Sequence, residues 1–299
     1  MTDHRVPITV IAGPTAGGKS ARAMALATER NGVIINADSL QVYDTLPILT
    51  AQPSDDDKNK TPHCLYGILG ARDGCSAAQW RLLAMREIDA AHAAGQLPIL
   101  CGGTGFYLKA LMHGLSPLPD VPPAVRARVM ARQKELGNPA FHAELAKLDP
   151  VMGAKLNPND TQRLVRAREV LEATGKSLAE WQALPPEGPP AHYKFALELI
   201  SPERDVLYAR CNARFDTMLK SGGIEEVEAL DRRIQAGEVS ADAPVTHALG
   251  FRPLQAARRG RMPLIDAVER AKAETRQYAK RQVTWFRHQL KPAESEQVA

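Results

Sequence analysis

The sequence predicts an α/β fold: a parallel sheet with helices on both faces, carrying an all-helical insertion. Three observations point to it. Short β-branched apolar runs alternate with helical periodicity over residues 7–105. No convincing strand occurs across residues 122–184, where helical stretches are punctuated by Gly, Asn and Pro. An alternating run at residues 193–200 (YKFALELI) then returns before long helices fill the remainder. Strands and helices in this order bury a parallel sheet between helical layers.

Residues 7–12 (PITVIA) form a short apolar run bounded by glycine, which reads as a buried strand. A Gly-rich turn follows, then a helix over residues 20–30. The second apolar run, residues 33–36, ends at Ala37-Asp38-Ser39. Residues 46–64 are polar and contain proline, so they read as a loop. Ser76-Ala77-Ala78-Gln79 fits a capping box, with serine as N-cap and glutamine three residues later. The helix it opens repeats Trp80, Ala84 and Ile88 on one face and stops at Gly95. Residues 97–101 (LPILC) are the third run, ending in Gly102-Gly103-Thr104-Gly105.

The pattern changes near Pro117. Junctions at Gly137-Asn138-Pro139, Asp149-Pro150, residues 157–160 and Thr174-Gly175 pair helix stops with caps or first-turn prolines. A Pro-rich loop at residues 184–190 closes the insertion. The C-terminal helices are broken around residues 221–223, Gly237 and Gly260. The expected organisation is a core begun by residues 1–120, a helical insertion over 121–192, and the core completed by 193–299.

Composition excludes several classes. Hydrophobic residues make up 44% and charged residues 24% of 299, which rules out a disordered chain, a collagen and a membrane bundle. A chain this long buries about three quarters of its unfolded surface and needs no disulfide staples. Cys64, Cys75, Cys101 and Cys211 show no C-x-x-C spacing, so they read as buried or neutral thiols of a reducing compartment. Residues 1–12 lack a basic start followed by a long apolar core, so no secretory signal is expected. No apolar run approaches the ~18 residues of a membrane span. A cytoplasmic protein acting as a monomer, with no membrane partner, is the expectation.

The formal charge of +4 is mild, but its distribution is uneven. Between Arg252 and Lys291 stand eleven basic residues against Asp266, Glu269 and Glu274. A basic C-terminal face suits a polyanionic partner, and equally a solvated helix surface.

Gly13-Pro14-Thr15-Ala16-Gly17-Gly18-Lys19-Ser20 matches G-x-x-x-x-G-K-[ST] between a strand and a helix. Glycines let the backbone curl so that successive N–H groups face phosphate oxygens. The following helix directs its positive dipole end at the anion. Lys19 adds a full charge, and the Ser20 hydroxyl is a candidate ligand for Mg²⁺. In an open parallel sheet, ligands bind beyond the carboxyl ends of the strands, where Asp38 and Thr104 lie. Asp38 has three readings at this stage: a holder of Mg²⁺ through water, a general base, or a helix cap. A phosphate-loop kinase of small molecules or nucleotides, and a non-catalytic RNA-binding module, are the competing functional classes.

Several segments together carry a resemblance: residues 13–20, 36–43 (NADSLQVY), 102–107 (GGTGFY), Asp160-x-x-Arg163-x-x-Arg166-Ala167 with Thr174-Gly175-Lys176, and 278–286 (YAKRQVTWF). In this order, from residue 8 to about 288, the chain resembles the tRNA dimethylallyltransferase (tRNA isopentenyltransferase) family. The resemblance implies transfer of the dimethylallyl group of dimethylallyl diphosphate. The acceptor is N6 of the adenosine 3′ to the anticodon, position 37, in tRNAs reading UNN codons. The loop from Gly13 to Ser20 then holds diphosphate rather than a nucleoside triphosphate, with Mg²⁺ as cofactor. The resemblance makes Asp38 the general base and assigns Thr104 and Arg214, with Lys19 and Ser20, to the leaving group.

The tRNA partner would be gripped at its anticodon stem-loop, its target base flipped out. Asp38, Ser39, Leu40, Gln41 and Thr104 are the positions implied for that adenosine. Arg126, Gln162, Arg163, Leu164, Val165 and Arg166, and the segment His247-Ala248-Leu249-Gly250-Phe251-Arg252, match further tRNA-contact positions. Arg163 and Arg166 lie three apart on one helix face, with Leu164, Ala167 and Leu171 opposite. The chain departs from the family pattern at Gln52, where lysine is usual, in residues 63–67 (HCLYG), and in the HALGF turn.

Overall fold

The computed structural model describes residues 5–290, so Lys291 lies outside the described residues. Five strands, β1 (Val6–Ala12), β2 (Gly32–Asn36), β3 (His63–Cys64), β4 (Leu97–Gly102) and β5 (Tyr193–Leu199), form one sheet ordered β3-β2-β4-β1-β5. Every pairing is parallel, with Ala12 opposite Gly102 and Leu199, and Asn36 opposite Cys101. The carboxyl ends of β1, β2 and β4 therefore finish at one level. The predicted α/β class holds, and for the expected reason: β2 is buried at all five positions, as a central parallel strand must be.

The helices of the first part are α1 (Lys19–Arg30), α2 (Asp55–Lys60), α3 (Ala77–Ala93) and α4 (Gly105–His113). Ser76 and Gln79 make both reciprocal bonds of the capping box at α3. Trp80, Ala84 and Ile88 are fully buried, as their spacing predicts. The stretch 46–64 is not wholly loop. It contains α2, opened by a second capping box between Ser54 and Asp57, and β3 at the sheet edge. Both elements are too short and too polar to show periodicity, so only their tertiary setting reveals them.

The chain forms two compact units. One is the sheet-bearing core, built from residues up to Met112 and from Pro190 onward; the other is His113–Pro189. The neck of the second unit is tied by backbone bonds. Leu115 N donates to Glu187 O at 3.3 Å and Glu187 N donates to Leu115 O at 2.8 Å. This unit comprises α5 (Pro123–Leu148), α6 (Pro150–Lys155), α7 (Thr161–Thr174) and α8 (Leu178–Ala183), with α5 kinked at Gly137. Its own core gathers Val129, Phe141, Leu145, Met152, Leu164, Ala167 and Val170. Val170, not Leu171, completes the buried face of α7, being three residues beyond Ala167.

After β5 come α9 (Arg204–Lys220), α10 (Gly223–Gln235), a 3₁₀ turn at Pro244–His247, α11 (Phe251–Arg258) and α12 (Leu264–Gln289). The basic C-terminal face is partly spent on internal pairs. Arg258 pairs with Glu228, Arg259 with Asp231, and Lys272 with Asp216. All four cysteines are free. Burial raises each thiol, Cys64 to about 12 and Cys101 to about 11, so they stay neutral, as the sequence suggests. No helix among the described residues is long and apolar enough to cross a membrane.

Candidate active site

The site is built at the carboxyl ends of β1, β2 and β4. The loop after β1 turns sharply at Gly13, whose φ is +151°; a side chain there would strike the Ile200 carbonyl at 2.3 Å. Lys19 Nζ donates to the Pro14 carbonyl at 2.7 Å, which folds the ammonium back over the loop. Desolvation lowers its pKa, while the fields of Cys101 and Asp38 act the other way. Ser20 stands exposed in the first turn of α1.

After β2 the backbone is locked by Asn36. Its Oδ1 accepts from Asp38 N at 2.8 Å, and its Nδ2 donates to the carbonyls of Asp38 and Leu65 at 3.0 Å. Trp80 Nε1 holds the Asn36 carbonyl at 2.8 Å. Asp38 Oδ1 accepts from Leu40 N at 3.0 Å, so one carboxylate oxygen is fixed locally. Thr104 joins the turn after β4 to this segment: its Oγ1 accepts from Ser39 N at 2.9 Å and donates to Ser39 Oγ at 3.2 Å. A side chain at Gly103 would collide with Gln282 Nε2 and approach Asp38 Oδ2 to 3.6 Å.

Helices α9 and α12 close the loop from above. Arg214 on α9 donates from Nη1 to Thr15 Oγ1 at 3.5 Å, and Arg210 to the Gly17 carbonyl at 3.4 Å. Burial lowers the pKa of Arg214, partly offset by Asp38. Its guanidinium has no ion-pair partner among the described residues, so an anion is what would relieve it. Gln282 on α12 bridges two loops, its Oε1 accepting from Thr15 N at 2.8 Å and its Nε2 donating to the Gly103 carbonyl at 2.7 Å.

Thr15, Asp38, Leu40, Leu49, Arg214, Phe215, Met218, Leu249 and Tyr278 line a cavity of about 60 Å³. Its lining is mostly hydrocarbon and also includes Thr15 and Ala16 of the loop after β1, Arg214 and Asp38. Burial and the charge of Asp38 push the Tyr278 phenol upward, so it stays protonated. Such a site suits a ligand with an anionic head and a short apolar tail, facing a nucleophile that must lose a proton.

The sequence-predicted residues fall into three groups. Asp38, Ser39, Leu40, Thr104, Arg214 and the loop from Gly13 to Ser20 are brought together here. Gln41 stands beside them, but its side chain secures the neighbouring loop, donating to the Thr50 and Ala51 carbonyls at 2.9 Å. Gln52 serves the same loop, donating to the Tyr43 carbonyl at 2.7 Å. Leu249 joins the cavity wall. Ala248, Gly250 and Phe251 are buried, so their side-chain space goes to packing, while His247 and Arg252 are exposed.

The remaining positions lie in the helical unit. Arg126, Gln162 and Arg163 are exposed there, and Val165 and Arg166 partly so. Leu164 is fully buried and cannot present its side chain to RNA; it is a core residue of that unit. Sequence reasoning missed Tyr278, Gln282, Phe215, Met218 and Leu49 as site residues. Only Tyr278 and Gln282 left a signal, an i,i+4 pair within the 278–286 segment.

A family model described as IPP transferase matches residues 41–289. The chain is 50% identical over 290 residues to a tRNA dimethylallyltransferase of Paramagnetospirillum magneticum, covering 97% of this chain and 90% of the relative. It is 49% identical to one of Rhodospirillum centenum, covering 96% and 90%. Among solved structures, a tRNA isopentenylpyrophosphate transferase of Bacillus halodurans matches with TM-score 0.66 at 33% identity, covering 96% and 88%. A eukaryotic dimethylallyltransferase acting on tRNA matches with TM-score 0.77 at 27% identity, covering 94% and 69%. Matches of this identity along almost the whole length show that the chain belongs to the IPP transferase family and is a prenyltransferase of the tRNA dimethylallyltransferase kind.

Proposed function

We propose that the enzyme transfers the dimethylallyl group of dimethylallyl diphosphate to N6 of adenosine 37, next to the anticodon, in tRNAs reading UNN codons. The observation that carries this is one cavity lined by apolar Leu40, Leu49, Phe215, Met218 and Leu249 together with Thr15 and Ala16 of the phosphate loop, Arg214 and Asp38. The diphosphate lies against the loop's N–H groups, Lys19 and Arg214, and the five-carbon tail against the wall.

In the reaction the C–N bond to N6 forms as the C–O bond to diphosphate breaks. An exocyclic adenine amine is a poor nucleophile because its lone pair is delocalised into the ring. It must release a proton, and Asp38 Oδ2 takes it, Oδ1 being occupied by Leu40 N. Lys19, Arg214 and Thr104 stabilise the charge gathering on the departing oxygen. Mg²⁺ fits the donor set in one way. Among the described residues no group of three His, Cys, Asp or Glu could cage a metal. The Ser20 hydroxyl together with diphosphate oxygens is the arrangement Mg²⁺ prefers. When bound, it supplies charge neutralisation to the leaving group. The arginines of the helical unit, exposed Arg126 and Arg163 with partly exposed Arg166, hold the anticodon arm.

The test is incubation of the protein with unmodified tRNA and dimethylallyl diphosphate, followed by mass spectrometry of the nucleosides. Isopentenyladenosine confined to position 37 is expected. ATP-dependent phosphorylation of a small molecule, with no prenylated tRNA, overturns the reading.

A further inference from the structure

Two arginine–glutamate–arginine bridges join α5 to α7. In one, Glu172 on α7 meets Arg128 of α5 at 2.7 Å and Arg168 of α7 at 3.4 Å. In the other, Glu169 Oε1 faces Arg126 Nε of α5 at 3.7 Å, and Glu169 Oε2 faces Arg166 Nη1 at 3.6 Å. The Glu169 side chain is only 4% exposed, whereas that of Arg126 is 68% exposed and that of Arg166 37%.

This second bridge is costly as a stabilising device. Both approaches are longer than hydrogen bonds, and Glu169 Oε1 accepts none among the described residues. A buried carboxylate with one oxygen unfilled by hydrogen bonds is weak evidence for stability, because two loose ion pairs return little against its desolvation. Its geometry suits another task. Each oxygen faces the guanidinium of a different helix, Oε1 that of Arg126 and Oε2 that of Arg166, and both arginine side chains keep solvent-exposed surface. A guanidinium presents a planar fork that grips phosphate bidentately, provided its orientation is set beforehand. Arg126 and Arg166 come from different helices, and a single carboxylate beneath them is what registers the two forks to each other.

We propose that Glu169 is a positioning residue for RNA binding, holding Arg126 and Arg166 as a paired phosphate clamp. The proposal rests on the reading of the helical unit as the tRNA-holding part. It makes a forecast opposite in sign to simple electrostatics. Removing a negative charge from an RNA-binding surface ordinarily tightens binding. Here, Glu169→Gln is expected to weaken it.

The experiment measures the affinity of the full chain for an unmodified tRNA reading a UNN codon, with melting temperature recorded for every variant. Glu169→Gln is expected to bind about three- to tenfold more weakly than wild type, and to cost less than about twofold more in an Arg126→Ala background. Arg126→Lys keeps the charge but removes the Nε that faces Glu169 and leaves the buried site untouched. It is expected to lose affinity similarly, which covers the case in which Glu169→Gln loosens the helical core. Glu169→Gln and Arg126→Lys binding as tightly as wild type, or more so, while Arg126→Ala and Arg166→Ala bind more weakly, overturns the proposal alone. Arg126→Ala and Arg166→Ala both binding like wild type overturns the tRNA-holding reading and the proposal with it.

Discussion

Asp38 is oriented before substrate arrives. Asn36 locks its backbone, Leu40 N holds one carboxylate oxygen, and Gly103 opposite leaves the other uncovered. On the proposed role as general base, a carboxylate fixed in this way loses little by reorganisation when the amine approaches. Asp38→Asn keeps the size and the acceptor for Leu40 N, so tRNA should still bind. It cannot take the proton, and single-turnover prenyl transfer should fall by about 10²–10⁴, roughly 3–5 kcal/mol of barrier. A role in holding Mg²⁺ forecasts instead that high Mg²⁺ rescues much of the loss. A helix-cap role forecasts a lower melting temperature with near-normal chemistry. Rates measured over a range of Mg²⁺, beside a melting curve, separate the three, and a rate within about threefold of wild type removes Asp38 from the chemistry.

The elements around the site are tied by a few buried polar groups. Glu226 on α10 accepts from Ile48 N at 2.8 Å and Leu49 N at 2.9 Å, which sets one wall of the cavity. Burial raises the pKa of that carboxylate. On the same helix, Asp231 accepts from Gln255 at 2.6 Å and from Arg259 Nε at 3.0 Å, joining α10 to α11 and the residue after it. Burial alone would raise the Asp231 pKa, but the bonds from Arg259, Gln255 and Gln235 bring it net below the ordinary value. Its folded-state pKa is therefore depressed. The stability it contributes is present above the ordinary carboxylate value and is lost as pH falls through the lower, folded one. Asp231→Asn should cost roughly 1.5–3 kcal/mol at neutral pH. Urea melts of wild type and variant at pH 7 and near pH 3 check this, and the gap between them should shrink at the acid end.

At the scale of the molecule, the chain has two units with separate cores. The parallel sheet carries the phosphate loop, Asp38 and Thr104; the helical unit carries Arg126, Arg163 and Arg166 on a core of its own. Replacing both Arg163 and Arg166 with alanine should weaken tRNA affinity. The slope of log affinity against log salt should flatten, by about 0.7–0.9 for each phosphate that is no longer neutralised. Turnover at saturating tRNA should stay close to wild type, because neither residue lies at the strand ends. Unchanged affinity with a collapsed single-turnover rate would place these arginines in the chemistry instead.

Local chemistry determined much of this protein. Gly13 to Ser20 carries the G-x-x-x-x-G-K-[ST] spacing within eight residues, so the loop between β1 and α1 is legible from local sequence. The Ser76–Gln79 capping box and the Trp80, Ala84, Ile88 stripe settle α3 within one segment. The all-helical character of the insertion follows from its junction residues. Tertiary structure alone decided what depends on approach from afar. Short, polar β3 exists because it pairs with β2 at the sheet edge, and α2 because the Ser54–Asp57 capping box opens it. Leu164 belongs to a core because α5 covers it. The cavity wall gathers Leu49 from one loop, Phe215 and Met218 from α9, and Leu249 from another turn, none of them marked by spacing. Gln282 reaches Thr15 across 267 positions of chain, and Glu226 reaches Ile48 across 178. Such long-range hydrogen bonds leave no period in the sequence, because each depends on one residue meeting one partner rather than on a repeated face.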